Sequence, residues 1–342
     1  MQLPERFSAK MAEVIGDSKI SPLVARAPGR VEVLGNHTDY NGGDVLAATI
    51  DRYVWAAGIP SGEVEIHSLD SDDVVAFNPH SIGPSSHLSW KSYAKGVYWA
   101  FQRRMHNVSG VTGVIQGNIP QGAGLSSSAA FEVALANLVL SASNIRLNPK
   151  AIAMLAFEAE RIYCGVACGV MDQFTSQLGK PNSLLAIKCS NLVTGDIPWN
   201  PQLKLVIINS GFQRAAVEVL NDRRLECQQA LQILLEESWA ASNISELQPD
   251  RLDAVSDLLD ETLARRVMHV VLENERVKSG VKALRDGRFE DFGALMYESH
   301  ASSRDLYEVS HPNLDTLVEI AKSKNGVLGS RLTGAGLGGA TL

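Results

Sequence analysis

The feature that most constrains this chain of 342 residues is a glycine- and serine-rich loop that runs directly into an apolar helix. The loop, PQGAGLSSSAA from Pro120 to Ala130, follows the strand-like run 111–116 and leads into 128–142, which is apolar nearly all round. Glycines let backbone N–H groups approach a ligand, and a helix N-terminus favours an anion. The segment therefore predicts a phosphate-binding loop on a buried helix, with a plain glycine turn and serine N-cap as the simpler alternative.

Two common nucleotide-binding motifs do not describe this loop. No Lys follows Gly124 as GxxxxGK[ST] requires, and no third glycine completes GxGxxG. If the loop binds ATP, it does so in another fold.

Charge and hydropathy narrow the class of partner. The formal net charge is −7 and the charges are interspersed, so the sequence presents no basic patch for nucleic acid. The N-terminus contains no signal-peptide run, and no segment reaches the roughly 18 apolar residues of a membrane span. We expect a cytoplasmic protein with a small-molecule substrate and no nucleic-acid or membrane partner.

Periodicity predicts an α+β fold. Short β-branched and aromatic runs at 45–50, 53–57, 64–67 and 74–77 are typical of an antiparallel sheet, and an apolar strand is predicted at 203–208. Near the end, 326–330 is predicted as a strand before the glycine-rich loop 332–339. Helical spacing is seen in several longer segments, at 90–106, 128–142, 149–162, 214–238, 250–285 and 288–300. Strands and helices are segregated and do not alternate as βαβ units.

Four segments together resemble the GHMP kinases, the group of galactokinase, homoserine, mevalonate and phosphomevalonate kinases. Besides the loop at Pro120, the segment Ala27 to Gly43 (APGRVEVLGNHTDYNGG) resembles the galactokinase signature. Gly169 to Phe174 (GVMDQF) is similar to the segment with the family's catalytic aspartate, and Leu332 to Gly339 (LTGAGLGG) resembles its C-terminal glycine motif. Four motifs in the family's order argue against coincidence, so the chain is identified as a member closest to galactokinase.

The resemblance implies a fold and a reaction. We expect the two-lobed GHMP-kinase architecture, with a mixed sheet and helices in an N-terminal lobe (1–200), a second α+β lobe (201–342) and the active site between them. The last strand is expected to continue beyond Leu342. The implied reaction is ATP-dependent phosphorylation of a monosaccharide at its anomeric hydroxyl, with galactose favoured, Mg²⁺ as the metal, and a monomer or weak homodimer as the working form.

The resemblance also assigns site residues. Asp172 is the expected base or orienting carboxylate, Arg30 the fixed cation beside it, and Ser128 and Glu160 the metal ligands. The expected sugar contacts are Asn36, His37, Asp39, Gly169 and Leu220. The expected ATP contacts are Gly122, Ala123, Gly124, Leu125, Ser126, Ser127, Ser128 and, near the adenine, Trp90. The simpler alternatives are a helix N-cap for Asp172, a solvated carboxylate for Glu160 and helix packing for Trp90.

Three positions depart from the galactokinase pattern. Asn36 replaces a Glu that contacts the C6 hydroxyl of the sugar, Leu220 replaces a tyrosine that meets the sugar, and Glu32 stands where the pattern has Asn. Loss of the carboxylate at position 36 predicts weaker use of galactose or acceptance of a C6-oxidised relative, because a like-charge repulsion is removed. On this hypothesis Asn36→Glu raises galactose use.

Several alternatives stay open at this point. One is a GHMP-type kinase for another sugar: a uronic acid, an N-acetylhexosamine or arabinose. A second is a non-catalytic sugar and ATP sensor, although Arg30, Ser128, Glu160 and Asp172 all match the catalytic pattern. A mevalonate or homoserine kinase is disfavoured because the signature from Arg30 to Gly43 is of the sugar type.

Overall fold

The computed structural model describes residues 4–16, 18–84, 87–212, 217–240 and 242–342. Within these the chain divides into two compact units, each built from separate segments. Unit 1 contains Met1–Arg30, Ile50–Pro120 and Ser126–Leu178; unit 2 contains Val31–Thr49, Gln121–Leu125 and Gly179–Leu342. The division at residue 200 stays a prediction, because these units follow internal contacts and not a single cut in the sequence.

The α+β composition is confirmed by the element order. The strands are β1 (Leu23–Leu34), β2 (Asp44–Ser61), β3 (Val64–Ser68), β4 (Asp73–Phe77), β5 (Gly110–Gly117), β6 (Ser183–Lys188), β7 (Val193–Pro198), β8 (Ile208–Asn209), β9 (Leu332–Thr333) and β10 (Ala340–Thr341). The helices are α1 (Glu5–Ile15), α2 (Trp90–Arg103), α3 (Ser127–Ala142), α4 (Pro149–Glu158), α5 (Met171–Leu178), α6 (Val217–Glu236), α7 (Leu252–Leu258), α8 (Glu261–Arg285), α9 (Phe289–Asp305) and α10 (Pro312–Lys322).

Unit 1 packs helices against a mixed sheet. β3 pairs antiparallel with β4 and parallel with β5, and β5 pairs antiparallel with the second part of β2, Val54–Ser61. Phe7 of α1 is fully buried in a cluster with Trp55 and Val114 of the sheet. The helix α3 is buried almost all round, as its apolar sequence predicts, and it packs against α2, α4 and α5. This packing fixes the helix start that carries the serines.

Unit 2 has two small strand groups and most of the later helices. The first part of β2 pairs antiparallel with β6, and β6 pairs with β7; separately, β10 lies between β8 and β9. A large apolar cluster is formed by α6, α7 and α8 with the segment after α9, through side chains such as Leu234, Val255, Val267 and Tyr307. None of the described helices is both long and apolar enough to cross a membrane.

Several predicted elements need correction. The runs 45–50 and 53–57 are one strand, β2, and the predicted strand 203–208 is irregular until β8 begins at Ile208. The segment 326–330 also lacks regular structure. The first residues of the predicted helix 214–238, 214–216, lie outside the described residues, and its described part is α6. The predicted helix 250–285 breaks between α7 and α8, because the side chain of Asp260 accepts a hydrogen bond from Leu263 N (2.9 Å) and caps a new helix.

Candidate active site

A bidentate ion pair joins the two residues predicted to be catalytic, both in unit 1. Arg30 Nε lies 2.7 Å from Asp172 Oδ1, and Arg30 Nη2 lies 2.7 Å from Asp172 Oδ2. Arg30 is buried on β1, whereas the Asp172 side chain keeps 22% of its exposure at the start of α5. Ser176, one turn along α5, donates to Pro28 O (2.7 Å) and holds this helix against β1. The arginine therefore orients the carboxylate while leaving it accessible.

The serines at the start of α3 do not cap the helix as their position predicts. Ser126 adopts left-handed backbone angles (φ 58°) and its hydroxyl donates to Asp172 Oδ2. Ser128 Oγ donates to Glu160 Oε1 (2.9 Å). The hydroxyls thus contact the two carboxylates that the sequence singled out, so unit 1 brings Arg30, Ser126, Ser128, Glu160 and Asp172 together.

Glu160 lies in a single π-helical turn, Ala159–Tyr163, that follows α4. Such turns insert an extra residue and redirect side chains, and they are frequent at functional sites. Burial, followed by the nearby charge of Asp172, raises the pKa of Glu160 to about 7. Its carboxylate and the Ser128 hydroxyl form a pair of oxygen donors of the kind that Mg²⁺ prefers. Among the described residues no cluster of three or more His, Cys, Asp or Glu side chains has a metal-binding arrangement.

The signature loop, residues 35–43 between β1 and β2, belongs to unit 2 and is held through every polar atom of Asn36, which is fully buried. Its backbone N–H donates to Glu273 Oε1 (3.2 Å), and its carbonyl accepts from His269 Nε2 (2.9 Å). Its side-chain oxygen accepts from Ser303 Oγ (2.8 Å). Its side-chain nitrogen donates to Glu32 Oε1 (3.0 Å) and to the carbonyl of Gly334 (2.9 Å). In this structure Asn36 supports the loop, and its predicted contact with a sugar stays a prediction.

The carboxylate missing at position 36 is present four residues earlier. Glu32 is buried, contacts Asn36 and pairs with Arg331 Nη2 (2.9 Å), which is itself fully buried. The departures at 32 and 36 are therefore one exchange between two side chains in contact. This finding removes the charge argument for a C6-oxidised acceptor, because the pair still carries one carboxylate.

His37 has a fixed tautomer. Its Nε2 lies 3.2 Å from the carbonyl of Ala335, which only accepts, so Nε2 carries the proton. Its Nδ1 then accepts from Tyr40 Oη (2.9 Å), whose oxygen is 2.8 Å from Tyr307 Oη. The His37 ring stacks on Tyr307 at 4.9 Å between centroids. These contacts link the signature loop to the C-terminal glycine motif.

The C-terminal glycine motif packs on the first glycine-rich loop within unit 2. A Cβ at Gly334 would lie 2.8 Å from Gly124 O, and one at Gly339 would lie 3.0 Å from Ala123 O. Both glycines also have positive φ, at 73° and 82°. Close backbone approach between the two loops thus explains why these positions are glycines.

The remaining residues predicted to contact the sugar or ATP lie at several separate positions in the fold. Asp39 is half-buried at the start of the 3-10 helix Asp39–Asn41, Gly169 is half-buried in an irregular segment, and Leu220 is half-buried on α6. Trp90 begins α2 and makes an edge contact with Phe131 at 6.4 Å between ring centroids. Gly122 and Leu125 lie in the segment of the first loop that belongs to unit 2, and Ser127 opens α3 in unit 1. Their assignments as ligand contacts stay predictions.

Sequence reasoning missed the residues that support the signature loop. Glu273 Oε1 accepts from the N–H groups of Gly35 (3.0 Å) and Asn36, and Arg276 and Arg331 flank it. Despite full burial, the charge of Arg331 and then that of Arg276 lower the pKa of Glu273 to about 2. Burial lowers the pKa of His269 to about 4. The available signal was two polar residues four apart on α8 among buried valines, a spacing that places both on one face.

Comparison with known proteins reports the same motifs. The model of the GHMP kinases N terminal domain matches residues 92–180, the galactokinase galactose-binding signature matches 12–60, and the GHMP kinases C terminal model matches 281–342. A galactokinase from Roseiflexus sp. (strain RS-1) is 39% identical over 323 residues, which cover 94% of this chain and 82% of the relative. The chain belongs to the galactokinase family of GHMP kinases.

Solved structures agree with this membership. The structure of Lactococcus lactis galactokinase complexed with galactose matches with a TM-score of 0.91 and 33% identity, covering 98% of this chain and 88% of that one. Mevalonate kinase from Methanococcus jannaschii matches with a TM-score of 0.63 at 19% identity, over 95% and 90% of the two chains, and shares the fold. The predicted family, the GHMP-kinase fold class and the sugar-kinase class of enzyme are confirmed.

Proposed function

We propose that this chain transfers the γ-phosphoryl group of ATP to the anomeric hydroxyl of galactose, giving galactose 1-phosphate and ADP. Membership of the galactokinase family supports the reaction class. The single observation in the structure that carries the mechanism is the bidentate Arg30–Asp172 pair with Ser126 on the same carboxylate. It supplies an oriented and accessible carboxylate at the start of α5, in contact with a serine at the start of the helix that follows the phosphate-type loop.

The proposed roles follow from this geometry. Asp172 accepts the proton of the attacking hydroxyl or orients that hydroxyl, as general-base chemistry requires. Arg30 orients the Asp172 carboxylate and offers positive charge to the transferred group. The start of α3 favours phosphate oxygens through its N-terminal N–H groups. Phosphoryl transfer needs positioning and charge neutralisation more than covalent chemistry, and these residues supply both.

Ser128 and Glu160 would hold Mg²⁺. The donor set fits, because one carboxylate and one hydroxyl suit a hard cation that keeps phosphate and water as its other ligands. When bound, the ion supplies neutralisation of phosphate charge. Burial raises the pKa of both carboxyl groups near this point, Glu160 and Glu132, and a bound cation would favour the charged form of its ligand.

A coupled ADP-release assay over a panel of sugars tests the proposal. The panel contains galactose, galacturonic acid, N-acetylgalactosamine and arabinose, each with Mg²⁺ and with excess EDTA. We expect galactose to give the highest kcat/KM, activity to vanish in EDTA, and ³¹P NMR to show a 1-phosphate. Preference for another sugar would leave the kinase and replace its substrate, whereas no ADP with any sugar would favour the non-catalytic sensor.

Location and assembly are proposed on the sequence alone. The cytoplasm as the site of action and a monomer or weak homodimer as the working form follow from the sequence reasoning above. Sedimentation equilibrium at several protein concentrations tests the second statement, and a tight oligomer at all concentrations would contradict it.

A further inference from the structure

The helix α3 carries one carboxylate that its surroundings do not favour. Glu132 is fully buried in the middle of this helix, among residues such as Ala129, Val133 and Leu135. Burying a carboxylate without a close cation costs several kcal/mol, and buried charges are normally paired or serve a metal. Within the described residues, Glu132 Oε1 has no hydrogen-bond partner, and Oε2 accepts from Gln173 Nε2 at 3.3 Å.

Gln173 connects this carboxylate to Glu160. It follows Asp172 on α5 and is fully buried, and its Nε2 lies 2.5 Å from Glu160 Oε2. One amide nitrogen therefore directs its two protons to two carboxylates. A rotated amide would replace these two contacts of Nε2 with contacts between oxygen atoms, so Glu132 and Glu160 together favour the orientation in which Nε2 faces Glu160. The amide oxygen of Gln173 is left without a partner in the described part of the chain.

The two oxygens of Glu160 are held from one face of α3. Ser128 Oγ contacts Oε1 directly, and Glu132 acts on Oε2 through Gln173. Ser128 and Glu132 are four residues apart, so they lie one above the other on the helix. The contact with Ser128 indicates that Oε1 is the oxygen that faces the cation. The contact through Gln173 holds Oε2 in place.

We propose that Glu132 and Gln173 are positioning residues that hold Glu160 Oε2 so that Oε1 and Ser128 Oγ bind the divalent cation. The proposal rests on the proposed function, because it takes Ser128 and Glu160 as the cation ligands. Groups that orient a ligating carboxylate commonly change metal affinity by tenfold to a hundredfold. Such a role explains why a carboxylate persists where an apolar residue would pack without desolvation.

The experiment measures Mn²⁺ binding and folding in parallel. Free Mn²⁺ is counted by electron paramagnetic resonance in the presence of the protein and the ATP analogue AMP-PNP, and the midpoint of thermal unfolding is measured for each variant. We expect Glu132→Leu and Gln173→Leu each to weaken Mn²⁺ binding about tenfold. Glu132→Leu should leave the unfolding midpoint unchanged or raise it, since it removes a buried polar group with one oxygen that has no hydrogen-bond partner among the described residues. A purely structural residue would lose stability first.

Two further variants separate hydrogen bonding from charge and from coupling. Glu132→Gln keeps an acceptor for Gln173 and should stay within about threefold of the parent protein. The double variant Glu132→Leu/Gln173→Leu should be no weaker than Gln173→Leu alone, because the two residues act in series. A matched control is Asn137→Leu, which removes another contact between α3 and α5, from Asn137 Nδ2 to Gln177 Oε1 (2.7 Å), without touching Glu160. It should bind Mn²⁺ normally.

The outcomes distinguish a failure of the positioning role from a failure of the proposed cation site. If Ser128→Ala and Glu160→Gln weaken Mn²⁺ binding but folded Glu132→Leu and Gln173→Leu do not, the positioning role is wrong and the cation site stands. Additive losses, or a loss in Glu132→Gln equal to that in Glu132→Leu, also overturn it. If none of the substitutions at 128, 160, 132 and 173 changes Mn²⁺ binding, the proposed cation site itself fails.

Discussion

The proposed catalytic residues of unit 1 and the signature loop of unit 2 use polar side chains in opposite ways. In unit 1 the Asp172 carboxylate forms an ion pair with Arg30, and part of its surface stays exposed. In unit 2 Asn36 and Glu273 are fully buried, and the polar atoms of Asn36 are used within the protein. A motif rich in polar residues can therefore present a group for reaction or fix the backbone that shapes a loop, and exposure distinguishes the two.

The largest effect on activity is expected when the proposed reactive group of unit 1 is removed. Asp172→Asn keeps the size of the side chain but cannot take a proton, so we expect kcat to fall by roughly 10²- to 10⁴-fold. AMP-PNP binding, measured by calorimetry, should stay near that of the parent protein because the phosphate loop is intact. Turnover close to the parent value would contradict the assignment of Asp172.

The second prediction concerns the buried pair in unit 2. Asn36→Glu would place a second carboxylate against Glu32 with Arg331 as their shared cation, so we expect a loss of about 3 kcal/mol in the free energy of unfolding, measured in urea. This reverses the sequence-based hypothesis that Asn36→Glu improves galactose use.

Two variants sharpen that test. Asn36→Gln has the length of Glu without its charge and should lose less stability. Asn36→Glu combined with Glu32→Asn restores one carboxylate and one amide, and should recover at least half of the loss. If the single variant Asn36→Glu is as stable as the parent protein and turns galactose over faster, the charge at position 36 acts on the sugar directly.

The third prediction uses pH. In the folded chain His269 has a pKa of about 4, whereas the unfolded chain takes up this proton near pH 6.5. Between these values the unfolded state binds more protons, so stability is full above about pH 6.5 and falls towards pH 4. His269→Gln keeps a donor for Asn36 O and should reduce the loss of stability between pH 7 and pH 4.5 by about 2 kcal/mol. Urea unfolding at both pH values measures this.

A control for the pH experiment is His80→Gln, which changes an exposed histidine. It should leave the pH dependence of unfolding unchanged. An unchanged pH dependence in His269→Gln would mean that His269 is not held neutral on the signature loop.

The smallest effect is expected for Ser128, whose neutral hydroxyl is proposed to bind the cation directly. Ser128→Ala removes one oxygen donor and should raise the Mg²⁺ concentration for half-maximal activity about tenfold, or about 1.4 kcal/mol. Added Mg²⁺ should restore much of the activity. If no concentration of Mg²⁺ restores activity, Ser128 is not a ligand of the cation, and unit 1 contains a supporting residue where we propose a reactive one.

The motifs were predictable because each has a short local cause. The glycine-serine loop before α3 follows from local residue types, whereas the roles of Arg30 with Asp172 and of Ser128 with Glu160 were expected only because their motifs resemble those of the GHMP kinases. The supporting residues were not predictable, because His269 and Arg331 are separated from the signature loop by more than 200 residues of sequence. The strand predicted at 203–208 failed for a related reason: a strand forms only where it finds a partner, and pairing with β10 begins at Ile208.

By itself the sequence determined the α+β class, the family, the kinase chemistry and the candidate catalytic residues, since these depend on local patterns and on residue types in order. Only the tertiary structure decided what each polar residue contacts. It showed that the exchanges at positions 32 and 36 are a single buried pair and that the glycines of the C-terminal motif permit contact between two loops. It also placed an amide between the carboxylates of Glu132 and Glu160. Burial and hydrogen bonding over long sequence separations set these roles, and no local pattern encodes them.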